Sequence, residues 1–496
     1  MAGYKPRYEG ARWAVVYGSY AGVEQFALDE LQRMVQRFLP YVLGVHGRAD
    51  GELLERHHLI LLGTPADNPL VEEVVRRGLV PPPPGPQGYT IAGLASPWNG
   101  ERRLVVIAGH DALGVLYGVE DFNARVLAAK VEPDNPTPMR LRNALDEMKA
   151  FSFCERPLIE NRGLWTWGYV IYDYRRFIDN MARLRMNSII VWNDCPPANC
   201  AEFISYARAR GIGVILAFHW GWGTNLDIAR QKDHLTIKRD VLRKYSKEYA
   251  HLDIDGIYFQ TQTEHDQTSL GGRSTASLAC SLVNLVSAAL LEKKPDLKIY
   301  FGLHATSILD TYQDLAALDE RVTIAWEDCG VMPFSYDPLT ELPADNATKG
   351  ARTAEETLAY CKRLASLRPG GLFAMVPKGW TCLDWRGEFE HHGSFILGER
   401  DREFTRARLA SRQTRWDYVN GLWSADYPKA QRFYREMLDV TDGNIAAWGL
   451  VEDGIFEEAI QPSVALFANM LWDPTMPDNR LLANVTGACD PGAQAP

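Results

Sequence analysis

Short apolar runs alternate with amphipathic stretches from Asn161 onward. The first such stretch places Phe177, Ile178, Met181 and Leu184 on one helical face, the 3.6-residue period of an α-helix. Strand and helix then recur at the spacing of a parallel barrel, which predicts a (β/α)₈ TIM barrel. The eight predicted strands are 162–168, 188–194, 213–223, 255–266, 298–305, 322–330, 371–380 and 421–427.

The chain before the barrel predicts a small α/β domain. Strands are expected at 12–17, 58–62, 89–91 and 104–108, and helices at 23–38 and 111–126. After the barrel, helices are expected at 429–438 and 445–471. The predicted domains are therefore an α/β accessory domain at 1–135, a catalytic barrel at 136–440, and a helical C-terminal extension and tail at 441–496.

The predicted strands end in polar or aromatic residues, and in a barrel these ends converge on one face. Aromatic rings stack on sugar faces, and amides or imidazoles bind hydroxyls, so the set favours a carbohydrate site, although core packing remains the alternative for any single Trp. The candidate substrate-binding residues of this kind are Trp165, Trp167, Trp192, Asn193, His219, Trp220, Trp222, Gln262, His304, Trp326, Trp380 and Trp423.

Acidic residues at two strand ends could supply glycoside chemistry, which usually needs two carboxyl groups. The stretch DGIYFQTQTEHD (255–266) runs from an apolar strand into Glu264 and Asp266. Glu264 is the first choice for general acid and Asp266 the alternative; a partly apolar setting would keep the acid protonated. Glu327 and Asp328 end strand six and could act as nucleophile or activate water. Surface solvation and hydrogen bonding to loop amides are the competing interpretations.

Composition and the spacing of cysteines and glycines argue against several other classes of function. The chain has 496 residues, 46% of them hydrophobic, and a net charge of −10, with no basic run that would follow a nucleic-acid backbone. No apolar run reaches the roughly 18 residues of a membrane span. The eight cysteines form no CxxC and no zinc pattern, and Gly109, Gly114 and Gly118 are spaced wrongly for GxGxxG. We therefore expect no metal or cofactor, a carbohydrate substrate, no nucleic-acid or membrane partner, and a cytoplasmic enzyme, with secretion left open. The tail could form a homodimer contact.

The runs GYTI (88–91) and VVIAGHDALGVLYGVEDF (105–122) resemble the accessory domain that precedes the barrel in several glycoside hydrolases. These are the family 67 α-glucuronidases, the family 20 β-hexosaminidases, and the family 84 and 89 N-acetylglucosaminidases. The resemblance implies a general acid at the end of strand four, here Glu264. By likeness to family 67, Asp328 or Glu327 would activate water, with Asp384 or Glu388 as the later candidate.

The chain departs from each family's motif. Family 67 carries Glu-Gly-Gln-Pro where this chain has Glu264-His265-Asp266-Gln267, and families 20 and 84 carry adjacent acids where this chain has Thr263 and His265 beside Glu264. We expect an exo-acting, α-glucuronidase-like hydrolase with an inverting two-carboxylate mechanism. Arg162, Lys378 and Arg273 are the candidate cations for an acidic sugar. The alternatives are an N-acetylhexosaminidase with a substrate-assisted retaining mechanism and a non-catalytic carbohydrate-binding barrel.

Overall fold

A computed structural model describes residues 10–128, 145, 148–221, 224–263, 267–304, 307–327, 333, 353–380, 395–452 and 454–489. The chain forms two compact units. One comprises 1–157, 209–211 and 478–496, and the other comprises 158–208 and 212–477.

The first unit is built on a six-stranded mixed sheet with the order β2-β1-β3-β5-β4-β6. β1, β2, β3 and β5 run parallel, whereas β4 is antiparallel to both of its neighbours. Its strands are β1 (Trp13–Tyr17), β2 (Gly44–His46), β3 (His58–Gly63), β4 (Tyr89–Ala95), β5 (Arg103–Gly109) and β6 (Phe151–Glu155). Its main helices are α1 (Gly22–Gln36), α2 (Gly51–Arg56), α3 (Pro69–Arg76), α4 (Ala112–Phe122) and the helix Asp478–Ala488.

β3, sequence HLILLG, is buried along its whole length, as expected for a central strand covered on both faces. The predicted strands and helices of this domain are confirmed, and so is its α/β class.

The second unit contains a closed barrel of eight parallel strands in the order β10-β13-β14-β15-β16-β7-β8-β9. The (β/α)₈ barrel predicted from the sequence is confirmed. Its strands are β7 (Asn161–Trp167), β8 (Ser188–Trp192), β9 (Gly213–Ala217), β10 (Gly256–Gln260), β13 (Lys298–Leu303), β14 (Val322–Trp326), β15 (Phe373–Met375) and β16 (Ile445–Leu450). A short hairpin of β11 (Ser269–Leu270) and β12 (Arg273–Ser274) follows β10.

Helices surround the barrel. They are α5 (Tyr174–Arg183), α6 (Cys200–Arg208), α7 (Gln231–Lys244), α8 (Thr275–Lys293), α9 (Ala354–Ala365), α10 (Arg402–Thr441), α11 (Ile455–Glu458) and α12 (Pro462–Trp472). Of the described helices, α8 alone is long and apolar enough to cross a membrane, and 67% of that window is buried inside the structure. Such burial is typical of a core helix.

Buried side chains that point into the barrel form its core, and they show which residues of each strand face inward. Successive residues of a strand face opposite sides, so each inward residue predicts the next one two positions later. Large and small residues face one another across the interior, which keeps the core close-packed. The inward set is Trp165, Ile190, Trp192, Ile215, Ala217, Tyr258, Tyr300, Ala325, Ala374, Val376, Ala446, Trp448 and Leu450.

The prediction of strand eight at 421–427 is wrong. That segment lies inside α10, a 40-residue helix that begins after Asp401, whose side chain caps its first turn. The barrel closes instead through Ile445–Leu450, which pairs with β15 and β7. The predicted helix 445–471 is therefore a strand followed by α11 and α12. A helical C-terminal region is confirmed.

Candidate active site

The alternation of inward- and outward-facing side chains continues past the strand ends. It places polar residues above the barrel core. His219 follows β9, and its neighbours Phe218 and Trp220 keep backbone bonds to Tyr258 and Gln260, so the alternation persists there. By the same alternation Gln260, His304, Glu327, Lys378 and Glu452 extend the inward faces of β10, β13, β14, β15 and β16. These strands are parallel, so the polar residues gather at the carboxyl end of the barrel, the usual catalytic face.

Glu327 is the centre of this group. It is 3% exposed. Its Oε1 accepts hydrogen bonds from the Tyr258 hydroxyl and, at 2.5 Å, from Gln260 Nε2. Its Oε2 lies 3.1 Å from His304 Nε2 and 4.0 Å from Lys378 Nζ. The carboxylate of Glu327 is thus approached by side chains from three other barrel strands or their ends: β10, β13 and β15.

The hydrogen bonds define the protonation of the cluster. His304 Nε2 also lies 3.1 Å from Gln260 Nε2, but an imidazole nitrogen that donates to the carboxylate cannot accept from the amide. The bond to Glu327 therefore places a proton on His304 Nε2. Burial alone raises the pKa of Glu327. The charge and hydrogen bond of His304, the charge of Lys378 and the bond from Gln260 outweigh it and lower that pKa from 4.5 to about 2.

Gly302 makes room for the cluster. It is the β13 residue between Tyr300 and His304 on the inward face, and a Cβ built there would overlap both the Tyr258 hydroxyl and the Glu327 carboxylate. Only glycine lets the two side chains meet over this strand.

A second polar group lies at the ends of β8 and β9. His219 Nε2 is 3.9 Å from Asp194 Oδ1, and the Lys244 ammonium donates to the Asp194 carbonyl. Burial lowers the pKa of His219, while Asp194 raises it and Lys244 lowers it further, so the imidazole is neutral at pH 7. Asn193 is buried beside this group, and its backbone N–H donates to the Ala217 carbonyl. Gln262 donates to the carbonyls of Gly221 and Leu226 and so fastens the loop after β9.

Three tryptophans of β7 and β8 pack against each other at the mouth. Trp165 and Trp192 are buried in the barrel core, with ring centroids 6.2 Å apart. Trp167 lies one inward position further along β7, packs edge-on against both at 5.2 and 5.6 Å, and remains half-buried. Trp167 therefore presents its ring above the core, while the two others support it.

Four other tryptophans of the predicted sugar-binding set are buried and pack against aromatic rings or other parts of the core. Trp220 stacks on Phe259 at 3.5 Å, and Trp326 packs on Tyr360 of α9 at 4.9 Å. Trp380 stacks on Trp423 of α10 at 4.6 Å, with both rings fully buried. Trp423, the fourth, is a helical core residue and not a strand end.

Two of the three candidate cations are also placed away from the mouth. Arg162 lies at the start of β7, and its guanidinium donates to the carbonyls of Ile159, Glu160 and Arg185, which holds the opposite end of the barrel. Arg273 belongs to the β11–β12 hairpin and donates to Ser277 and Ser281 on α8. Lys378 alone of the three approaches the Glu327 cluster.

Several predicted residues lie outside the described residues: Glu264, Asp266, Asp328, Trp222, Asp384 and Glu388. Within the part of the chain that is described, no group of three or more His, Cys, Asp or Glu residues could hold a metal ion.

Sequence reasoning missed Tyr258, Gln260, Gly302 and Glu452. The alternation of inward and outward residues along the strands is the signal that could have found the first three. Once Glu327 is taken as inward, the even-numbered residues of β10 and β13 follow from register, because β10 pairs with β13 and β13 with β14. Glu452 could not be found this way, since strand eight was assigned elsewhere.

Comparisons with known proteins agree with the architecture. No protein-family model matches the chain, and no curated protein does. Among solved structures, a family 115 4-O-methyl-α-glucuronidase with specificity for decorated arabinogalactans aligns at a TM-score of 0.50 and 16% identity, over 94% of this chain and 56% of that one. A family 138 enzyme targeting the pectin rhamnogalacturonan II aligns at 0.49 and 13%, over 94% and 51%. A β-N-acetylhexosaminidase from Bacteroides fragilis aligns at 0.44 and 14%, over 95% and 89%.

The chain spans about half the length of the first two of these structures. At such identities the likeness concerns the fold, a TIM barrel with an accessory α/β domain.

Proposed function

We propose that the chain is a glycoside hydrolase that acts at the carboxyl end of its barrel. The observation that carries the proposal is Glu327, a carboxylate that is almost completely buried and yet held anionic by groups from neighbouring strands. Glycoside cleavage passes through an oxocarbenium-like transition state, which a fixed negative charge stabilises. The fold is compatible with the proposal, and the solved structure that aligns at a TM-score of 0.50 is by its name a 4-O-methyl-α-glucuronidase.

The protonation state of Glu327 restricts its role. A carboxyl with a pKa of about 2 is ionised at neutral pH and cannot donate a proton to the leaving oxygen. Glu327 therefore serves as the anionic member of the carboxylate pair. The proton donor we propose is Glu264, which follows β10 by four residues in the sequence and lies outside the described residues.

Neighbouring groups suit a sugar ring. The half-buried Trp167 offers an aromatic face, and the neutral His219 can both donate to and accept from hydroxyls. His304 and Lys378 approach the carboxylate of Glu327, at 3.1 and 4.0 Å.

Among substrates, we propose an exo-acting, inverting, α-glucuronidase-like specificity. Lys378 supports it as the cation nearest to Glu327 among the three that the sequence offered for a uronic acid. The likeness to a 4-O-methyl-α-glucuronidase makes uronides the first substrates to test.

Hydrolysis of a panel of aryl glycosides tests the proposal. The panel comprises glucuronides, N-acetylhexosaminides and neutral sugars in both anomeric forms, and proton NMR of the first product gives the stereochemical outcome. Activity on one member that is lost in Glu264→Gln and kept in Glu292→Gln, an exposed acid on α8, supports the assignment. Activity on N-acetylhexosaminides alone, with retention, would favour the substrate-assisted mechanism. Sugar binding without cleavage of any member would contradict hydrolysis and favour a binding barrel.

A further inference from the structure

A cavity of about 560 Å³ opens beside the cluster of His219 and Asp194, between the loop after β9 and helix α7. Its volume falls within the range of small-molecule sites, roughly 300–1,000 Å³. The buried side chains of Ile237 and Val241 give it an apolar floor. His219 lines this cavity and also extends the inward face of β9, so this residue links the cavity to the carboxyl end of the barrel.

The charged side chains that line the cavity come from one face of α7 and from the turn that follows it. Asp240, Arg243, Lys244 and Lys247 recur at the three- and four-residue spacing of one helical face, and all four line the cavity together with Glu248. Three cations thus meet two carboxylates in a chain whose net charge is −10. The net charge of the side chains that line the cavity is therefore positive.

The carboxylates do not neutralise this face. Asp240 is shared, because its Oδ1 lies 3.1 Å from Arg243 and 3.6 Å from Arg239. Glu248 lies 3.5 Å from Lys244, whose ammonium also donates to the Asp194 carbonyl. Lys247 makes no ion pair with any described residue. Lys247 and Arg243 are exposed and can turn toward a ligand.

We infer that this cavity is an additional subsite for a carboxylate-bearing sugar residue, next to the sugar that is cleaved. The inference rests on the proposed function and extends it: the substrate is an acidic oligosaccharide, recognised by Arg243 and Lys247 outside the reaction centre. Arginine binds carboxylates through two parallel hydrogen bonds, and lysine adds a point charge. Such a contact is partly exposed, so its strength depends on salt.

Binding of tetragalacturonate tests the inference, with its fully methyl-esterified form as the uncharged match. Calorimetric titration at low salt should show the wild type binding the acid form more tightly than the ester. Arg243→Gln/Lys247→Gln should weaken binding of the acid form roughly fivefold or more and leave that of the ester unchanged. Arg239→Gln removes a charge from the same helix outside the cavity and should bind as the wild type does. All the substituted residues are exposed, and thermal unfolding checks that each variant is folded.

Equal affinity of the wild type for acid and ester, or an unchanged affinity in the double variant, would overturn the subsite. This readout is separate from catalysis. A protein that cleaves an aryl glycoside but does not distinguish acid from ester retains the proposed function and loses the subsite. One that binds the acid form through Arg243 and Lys247 but cleaves nothing does the opposite.

Discussion

The imidazole of His304 lies 3.1 Å from the carboxylate of Glu327, and the two residues end adjacent barrel strands. Both are largely buried, so the charge of Glu327 depends on His304, together with Lys378 and Gln260, for its stabilisation. Removing one partner of a buried pair costs about 3–5 kcal/mol, because the remaining charge is left without a partner in a poorly solvated site. The pair, with Tyr258 and Gln260, therefore fixes the geometry of the mouth as well as its charge.

The depressed pKa of Glu327 predicts a specific loss of stability in acid. The carboxyl has a pKa of about 2 in the folded chain and an ordinary value of 4.5, so its contribution is fully present above about pH 5 and is lost as the pH falls toward 2. The difference corresponds to about 3 kcal/mol. Denaturant unfolding of the wild type and Glu327→Gln between pH 7 and 3 should show their free energies converging toward low pH. A constant gap would contradict the assigned pKa.

The raised pKa of Glu457 predicts the opposite dependence of stability on pH. It is buried after β16 and accepts a hydrogen bond from the Tyr172 N–H, and burial raises its pKa to about 8. A carboxyl whose folded pKa is raised stabilises below its ordinary value of 4.5, and that stabilisation is lost as the pH rises toward 8. Glu457→Gln imitates the protonated form. Between pH 5 and 8 it should gain stability relative to the wild type by a few kcal/mol, with activity unchanged. No gain would place an ionised carboxyl there.

The lack of space for a side chain at Gly302 allows the cluster around Glu327 to be tested sterically. Gly302→Ala would push a methyl group into the Tyr258 hydroxyl and the Glu327 carboxylate, so kcat should fall by roughly tenfold or more. Gly421→Ala is the matched control, since a Cβ at this exposed position of α10 meets nothing within 4 Å. It should keep full activity and gain up to about 1 kcal/mol of stability. Equal activity of the two variants would remove the cluster from the reaction.

Substitution of two tryptophans should distinguish a role in core packing from a role in substrate binding. Trp423→Ala removes a buried ring stacked on Trp380 and should cost about 3–5 kcal/mol of unfolding free energy, with KM unchanged in the folded protein. Trp167→Ala removes a half-buried ring at the mouth and should raise KM roughly tenfold with a small stability cost. Unfolding curves and steady-state kinetics of both variants measure the two effects. A raised KM in Trp423→Ala alone would reverse the two roles.

The barrel could be predicted from the sequence through seven strands because each short apolar run is flanked by an amphipathic helix. The eighth could not. Residues 445–451 form a short apolar run, and such a run alone does not distinguish a strand from a segment of a buried helix. Residues 421–427 resemble a strand end, yet they continue the long α10 helix, which contains Pro428.

The site could be predicted only in part, because the side of a strand that each residue faces was not considered. Adjacent strand residues point to opposite sides, so Glu327 and Trp326 cannot both face the interior, and neither can His219 and Trp220. Choosing the acid and the histidine as inward residues assigns both tryptophans to packing. The identity of the donors to Glu327 depends on the register between strands that are distant in sequence, such as β10 with Tyr258 and β14 before Glu327. Composition does not predict that register.

The most direct test of the central claim is kcat/KM of Glu327→Gln on the best aryl glycoside, beside wild type and Glu457→Gln. Both substitutions replace a buried carboxyl with an amide of nearly the same shape, but only the first removes a negative charge at neutral pH. We predict a loss of roughly 100-fold or more in Glu327→Gln, with native circular dichroism, and near wild-type activity in Glu457→Gln. Wild-type kcat/KM in Glu327→Gln would contradict the proposed role of Glu327, because the reaction would not use its charge.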